Sequence, residues 1–284
     1  MEKRFIHLYD EYIHGFINRR SFLDRLTVLA GSSAAAYAIL PVLENDMAKA
    51  QTIAPNDPRI TAQMVDVPGY KGLRGYLAKP AARGRHKAVL VIHENRGLNP
   101  HIEDVTRRFA AAGYLALGLD YLSPLGGTPV DQDAATKMFM ELKPDMVLDS
   151  GKAAIAFLKA HPEGNGKVGA VGFCWGGGTV NDLAVADRNL TAGVAYYGRQ
   201  PATDRVGAIT APLLLNYAGD DERINAGLPA FEAALKANKK TYELHLYPGA
   251  GHGFNNDTNG PRFNKAAADL AWSRTMGWFG KYLA

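Results

Sequence analysis

The chain has 284 residues, 47% hydrophobic and 21% charged, which suits one α/β domain of about 230 residues with a sizeable core behind an N-terminal extension. Its single cysteine excludes an intrachain disulfide framework and any multi-cysteine metal site. The net charge of +4 comes without a basic run or interleaved aromatics, so no nucleic-acid partner is expected and only a mild preference for anionic substrates follows.

The first fifty residues read as a separate unit. Asn18-Arg19-Arg20-Ser21-Phe22-Leu23 resembles a twin-arginine export signal, and the uncharged, weakly apolar span 27–43 follows it. Ala48-Lys49-Ala50 then offers a small-x-small cleavage site. The span is too short and too rich in alanine to cross a bilayer, so no stable membrane span is expected. The expectation is recognition by the twin-arginine export machinery and a periplasmic or otherwise exported protein. The alternative is an amphipathic N-terminal helix retained on a cytoplasmic protein. Residues 51–60 are a polar, proline-bearing linker, and 61–284 are expected to form the main domain.

Within that domain, 61–67 and 73–78 are strand-like runs joined through Gly69-Tyr70-Lys71-Gly72, as in a hairpin. Residues 88–93 (AVLVIH) form a continuous apolar run, the mark of a strand covered on both faces. Helical spacing of Ile102, Val105, Phe109 and Ala112 predicts a helix over 100–112, with Asn99 as N-cap and Gly113 as stop. A buried strand at 114–119, a loop at 121–127 and helices at 131–142 and 144–160 come next. Val168, Ala170 and Val171 are a short strand, then Gly172-Phe173-Cys174-Trp175-Gly176 make a tight turn, and a helix follows. Strands at 190–197, 212–217 and 242–247 and helices at 226–237 and 264–282 complete the pattern. Strands alternating with helices predict a mostly parallel sheet with helices on both faces, with the ligand site beyond the carboxyl ends of its strands.

Strand, sharp turn and helix around Gly-x-nucleophile-x-Gly make the nucleophile elbow of α/β-hydrolases, here with Cys174 in place of serine. A thiol at a helix N-terminus is favoured as the attacking thiolate. Later strand ends supply Asp220 and Asp221, then His252 in a glycine loop. Nucleophile, acid and histidine in that order match the chain order of such triads. Imidazole takes the thiol proton near neutral pH, and a carboxylate fixes its tautomer. Asp221 is preferred to Asp220 because Ile224, three residues on, can anchor its loop in the core. The oxyanion needs two backbone N–H groups, expected from Trp175 and Asn95. His93 is expected to pack at a strand end, and Asp120 to cap a loop.

These residues resemble the dienelactone hydrolase family, the cysteine branch of the α/β-hydrolases, from about residue 61 to the C-terminus. The likeness rests on GFCWGG around Cys174, HENRGLN, GYLALGLDYLSP, AYYGRQ, GDDERI and GAGHGF. It implies hydrolysis of a carboxylic ester, typically an enol-lactone from the breakdown of aromatic compounds. It also implies that Glu94 lies near the thiol and helps to generate the thiolate when substrate binds. The family's arginine shortly after the histidine has no counterpart in Gly253-Phe254-Asn255-Asn256. Arg199 and Arg96, just past strand ends, are therefore expected to grip an anionic substrate, with Tyr197 and Trp175 lining the pocket.

The expected activity is thus cleavage of a small ester or lactone by way of a thioester on Cys174, with no metal or organic cofactor required. A protein that keeps the hydrolase shell without catalysis, using Cys174 as a redox sensor, is the alternative. The oligomeric state is not legible in the sequence.

Overall fold

The computed structural model describes residues 2–13, 15–44 and 51–284. The chain begins with helices α1 (Lys3–Ile13), α2 (Arg19–Ala30) and α3 (Ser33–Leu43). Strands β1 (Ile60–Asp66), β2 (Arg74–Pro80) and β3 (His86–Ile92), helix α4 (Pro100–Ala111) and strand β4 (Leu115–Asp120) follow. Next are α5 (Gln132–Phe139), α6 (Pro144–Ala160), β5 (Gly164–Phe173), α7 (Trp175–Ala186) and β6 (Ala192–Tyr196). The chain closes with β7 (Leu213–Ala218), α8 (Glu222–Asn225), α9 (Leu228–Ala237), β8 (Tyr242–Tyr247) and α10 (Lys265–Tyr282).

The eight strands form one sheet in the order β1-β2-β4-β3-β5-β6-β7-β8. β2 pairs antiparallel with both β1 and β4, and every other pair is parallel. The inner strands are apolar throughout because both faces are covered: all six residues of β4 and of β7 are buried. Successive side chains leave on opposite faces. Leu90, Leu117, Ala170 and Leu215 pack under α6, α7 and α9, whereas Val89, Val91, Val171 and Val194 pack under α4 and α10. The edge strands β1 and β8 instead mix buried and exposed positions.

Local signals set most boundaries. Asn99 caps α4 by accepting the Ile102 N–H at 3.1 Å, with Pro100 in the first turn where its missing N–H is harmless. β5 starts at Gly164, earlier than its apolar run, because Gly164 pairs with His86 across a bulge. β6 stops at Tyr196 because Tyr197 has φ 38°, outside strand geometry. The short α8 has no apolar periodicity; Asp221 caps it through the Ile224 N–H at 3.3 Å.

The segment read from the sequence as an export signal is folded against the main body. Phe5, Leu8, Tyr9, Phe22, Leu26 and Leu43 form their own buried cluster, with Tyr12 and Phe22 stacked at 4.7 Å. Asn18 caps α2, Gly31 ends it at φ 81°, and Ser32 caps α3. The apolar span 27–43 is therefore broken, with 113° between α2 and α3. No single helix among the described residues is long and apolar enough to cross a membrane. The cleavage motif Ala48-Lys49-Ala50 lies outside the described residues.

Parallel register aligns the carboxyl ends of the strands. Ile92 pairs with Gly172, Phe173 with Tyr196 and Ala218 with Tyr247. The residues after these ends, including Glu94, Cys174, Tyr197, Asp221 and His252, therefore share one rim of the sheet. The C-terminus is fixed at the other rim. Asn165, at the start of β5, donates to the Leu283 carbonyl at 2.9 Å; Lys87, at the start of β3, donates to Gly280 at 3.2 Å.

Candidate active site

β5 delivers Cys174 at a sharp corner. Its φ of 56° and ψ of −114° lie where a side chain is rarely tolerated, at a cost of about 1–3 kcal/mol. The corner is held by the Cys174 N–H to Tyr196 O at 3.0 Å and by the Gly178 N–H to Cys174 O at 3.2 Å. It closes only because glycine lets the helix ride on the strands. A Cβ on Gly172 would fall 2.1 Å from Gly176 O, and one on Gly198 would fall 2.2 Å from Gly177 C. The first turn of α7 thus points its N–H groups toward the thiol.

His252 has farther to travel. β8 lies three strands from β5, roughly 14 Å at the usual spacing. The loop 248–264 spans that gap, pinned by Asp220 N–H to Ala250 O at 3.0 Å and by Asn264 N–H to Phe254 O at 3.0 Å. Phe254 is fully buried between Tyr197 and Tyr247. The His252 ring packs on Tyr197 at 4.9 Å. Its Nδ1 meets Asp221 Oδ2 at 2.5 Å, and its ring also bonds to Cys174. Asp221 is buried and committed to His252 and Ile224, whereas Asp220 is exposed on the rim.

Electrostatics follow from this packing. Burial alone would push His252 down, but the Cys174 charge and the Asp221 hydrogen bond outweigh it and raise the imidazole to about 10. Burial likewise opposes ionisation of Asp221, and the bond to His252 overcomes it, holding the carboxyl below its ordinary value. Tyr197 is driven well above the ordinary tyrosine range by burial, with the charges of Glu94 and Cys174 adding to it.

Glu94, in the loop after β3, is half-buried, and its Oε2 accepts from Asn256 Nδ2 at 2.8 Å. Asn256 is itself oriented by the Thr258 N–H and hydroxyl, both donating to its Oδ1. Asn256 thus occupies the loop where the family arginine was sought, and it holds the glutamate. Nothing in its local sequence marks that role, since Glu94 lies 162 positions away. His93 is fully buried, stacks on Trp175 at 5.4 Å and accepts the Tyr121 N–H at 3.3 Å. Asp120 caps its loop through Leu122 and Thr128.

A cleft of about 560 Å³ opens over Cys174 and His252. Asn95, Trp175, Tyr197 and Arg199 line it. α5, α6 and the turn between them contribute an apolar wall of Phe139, Leu142, Val147 and Leu148. Arg96 does not reach the cleft: it is buried and donates to Gln132, so the expected grip on substrate is not available to it. Arg199 lies at the mouth, paired to Asp182 at 2.5 Å. Arg205 and Arg223 also line the cleft, and sequence reasoning missed both. So did it miss Phe16, which reaches the cleft from the N-terminal segment and lies under the Arg223 guanidinium at 5.6 Å.

Comparison with known proteins places these features in context. The sequence model of the dienelactone hydrolase family matches residues 73–283, and one described as YqhI-like matches residues 2–31. A relative in Methylorubrum extorquens, named "Putative carboxymethylenebutenolidase", is 31% identical over 276 residues, spanning 92% of this chain and 94% of its own. One of the same name in Saccharolobus solfataricus is 33% identical over 245 residues, spanning 72% and 93%. The crystal structure titled as a putative dienelactone hydrolase from Klebsiella pneumoniae matches with TM-score 0.72 and 28% identity, covering 78% of this chain and 99% of that one.

Proposed function

The chain belongs to the dienelactone hydrolase family and is a hydrolase of that type, and we propose that it cleaves a carboxylic ester or enol-lactone by acylating Cys174. The observation that carries this reading is the double engagement of His252, bonded to Asp221 and to Cys174 across one ring.

The steps follow from the charges. The thiolate of Cys174 attacks the substrate carbonyl carbon, forming the C–S bond and an oxyanion. The N–H groups of Trp175 and Asn95 stabilise that oxyanion. As the carbonyl re-forms, the C–O bond breaks and the departing alkoxide or enolate takes a proton from the His252 cation, which Asp221 stabilises. Acylation also removes the charge on sulfur, and that charge is the main influence raising the histidine. His252 then falls toward its ordinary range and stays neutral after giving up its proton, free in the second half to take a proton from water attacking the thioester. Glu94, held by Asn256, is proposed to assist His252 in taking the thiol proton as substrate arrives, so that the proton later given to the leaving oxygen is the one removed from sulfur. An enolate is a good leaving group, so a thiol of modest activation suffices for lactones and activated esters.

The cleft suits small acyl groups with an anionic end: an apolar wall faces Arg199, Arg205 and Arg223 at the mouth. The test is Cys174→Ala assayed on a nitrophenyl acetate. Turnover is expected to vanish while the thermal transition is retained, and intact mass of the wild type under single turnover shows the acyl adduct. Undiminished turnover in the variant would reject the mechanism.

A further inference from the structure

The N-terminal helices touch the active site at three separate places. The Ile13 carbonyl, at the end of α1, accepts the side-chain N–H of Asn95, in the loop proposed to bind the oxyanion. Asp10 pairs with Arg262 at 3.1 Å, the Arg262 guanidinium lies over the Tyr9 ring at 5.0 Å, and a Cβ on Gly260 would sit 2.9 Å from Val42 O. Those contacts brace the loop that carries His252. Third, Tyr12 and Arg19 bond to Asp133 on α5, and Phe16 between them forms part of the cleft wall beside Arg223. Arg262 is buried at this junction, so the contact is a packed one rather than a glancing one. The YqhI-like match covers residues 2–31 of this segment, and the Methylorubrum alignment covers more of the chain than residues 51–284 alone could supply.

We propose that residues 3–43 are a resident cap of the active site. In this role Ile13 positions the Asn95 loop, Asp10 and Tyr9 position the histidine loop, and Phe16 determines which acyl groups enter. The proposal rests on the hydrolase reading for its substrate, but not for its geometry. The cap has its own cluster, and among the described residues neither sheet-face cluster draws on residues 3–43. It can therefore be loosened without unfolding the main body.

The full-length chain supplies the test. Phe22 is fully buried in the cap cluster, and Phe22→Asp places a charge there. Alkylation of Cys174, the single cysteine, by a bulky maleimide is expected to accelerate about tenfold in this variant while the main thermal transition persists. Phe16→Ala, at an exposed position, is expected to lower KM for a bulky aryl ester about threefold to tenfold relative to KM for the acetate. Unchanged alkylation and unchanged size preference in both variants would overturn the cap. So would recovery of an exported enzyme cut after residue 50 with the wild-type size preference. If no ester is turned over but the alkylation rates differ, the cap stands and the hydrolase mechanism fails; turnover with equal rates and an unchanged size preference gives the opposite result.

Discussion

In the proposed mechanism His252 acts as an acid and a base within one cycle, and its surroundings suit that alternation. The imidazole rises to about 10 because a charged sulfur and a buried carboxylate outweigh desolvation. Its folded value lies above the unfolded value of about 6.5. Its contribution to stability is therefore present in full below that pH and is lost as pH rises toward 10. Asp221 runs the other way: its lowered carboxyl contributes above the ordinary aspartate value and loses that contribution as pH falls through the folded one. Removing the sulfur tests the assignment. In Cys174→Ala the ring is expected to titrate at distinctly lower pH than in the wild type, followed by NMR of the imidazole; an unmoved titration would mean that the sulfur does not set it. At this scale much was readable beforehand, since Cys174, Asp221 and His252 sit in glycine-flanked loops after strands. Asn256 was not, because its partner is remote in sequence and an asparagine in a loop has many ordinary reasons to be there. Nor was the diversion of Arg96, which depends on Gln132 arriving from a neighbouring helix.

Among the elements, the β5–α7 corner is the most demanding. The helix lies so close to β5 and β6 that backbone atoms fill the space a side chain would need. Gly198→Ala places a methyl 2.2 Å from the Gly177 carbonyl carbon, which belongs to backbone and cannot swing aside. The expected cost is about 3 kcal/mol, read as a fall in the urea midpoint; a loss below about 1 kcal/mol would show that the corner is softer than its geometry. The order of strands and helices was legible because burial on both faces makes apolar runs, and runs of that kind leave a strong pattern. Exact ends were less so. The polar start of β5 is decided by pairing with His86, and the end of β6 by the backbone of Tyr197, neither of which periodicity reports. The sequence of α8 likewise has no stripe to read, since four residues make barely one turn.

For the whole molecule, two bodies of unequal strength share one cleft. The main body buries two large clusters on either face of the sheet, while the cap buries one small cluster and is tied down partly by exposed pairs such as Arg19 with Asp133. Such pairs contribute about 1 kcal/mol or less. Amides of α1–α3 are accordingly expected to exchange with solvent well before those of β3–β7, measured by hydrogen exchange with mass spectrometry. Equal protection throughout would mean that cap and body open as one unit. The docking of the N-terminal segment was not legible in the sequence, because its contacts are made by Asn95, Asp133 and Arg262, all far along the chain.

The fixing of the carboxyl terminus beside the starts of β3 and β5 has a practical corollary. An affinity handle fused after Ala284 would tether the enzyme by its blunt side, so that a bead or electrode surface leaves the mouth facing bulk liquid. Material immobilised by its tail should therefore keep the rate it has in free solution, for large esters as well as small ones.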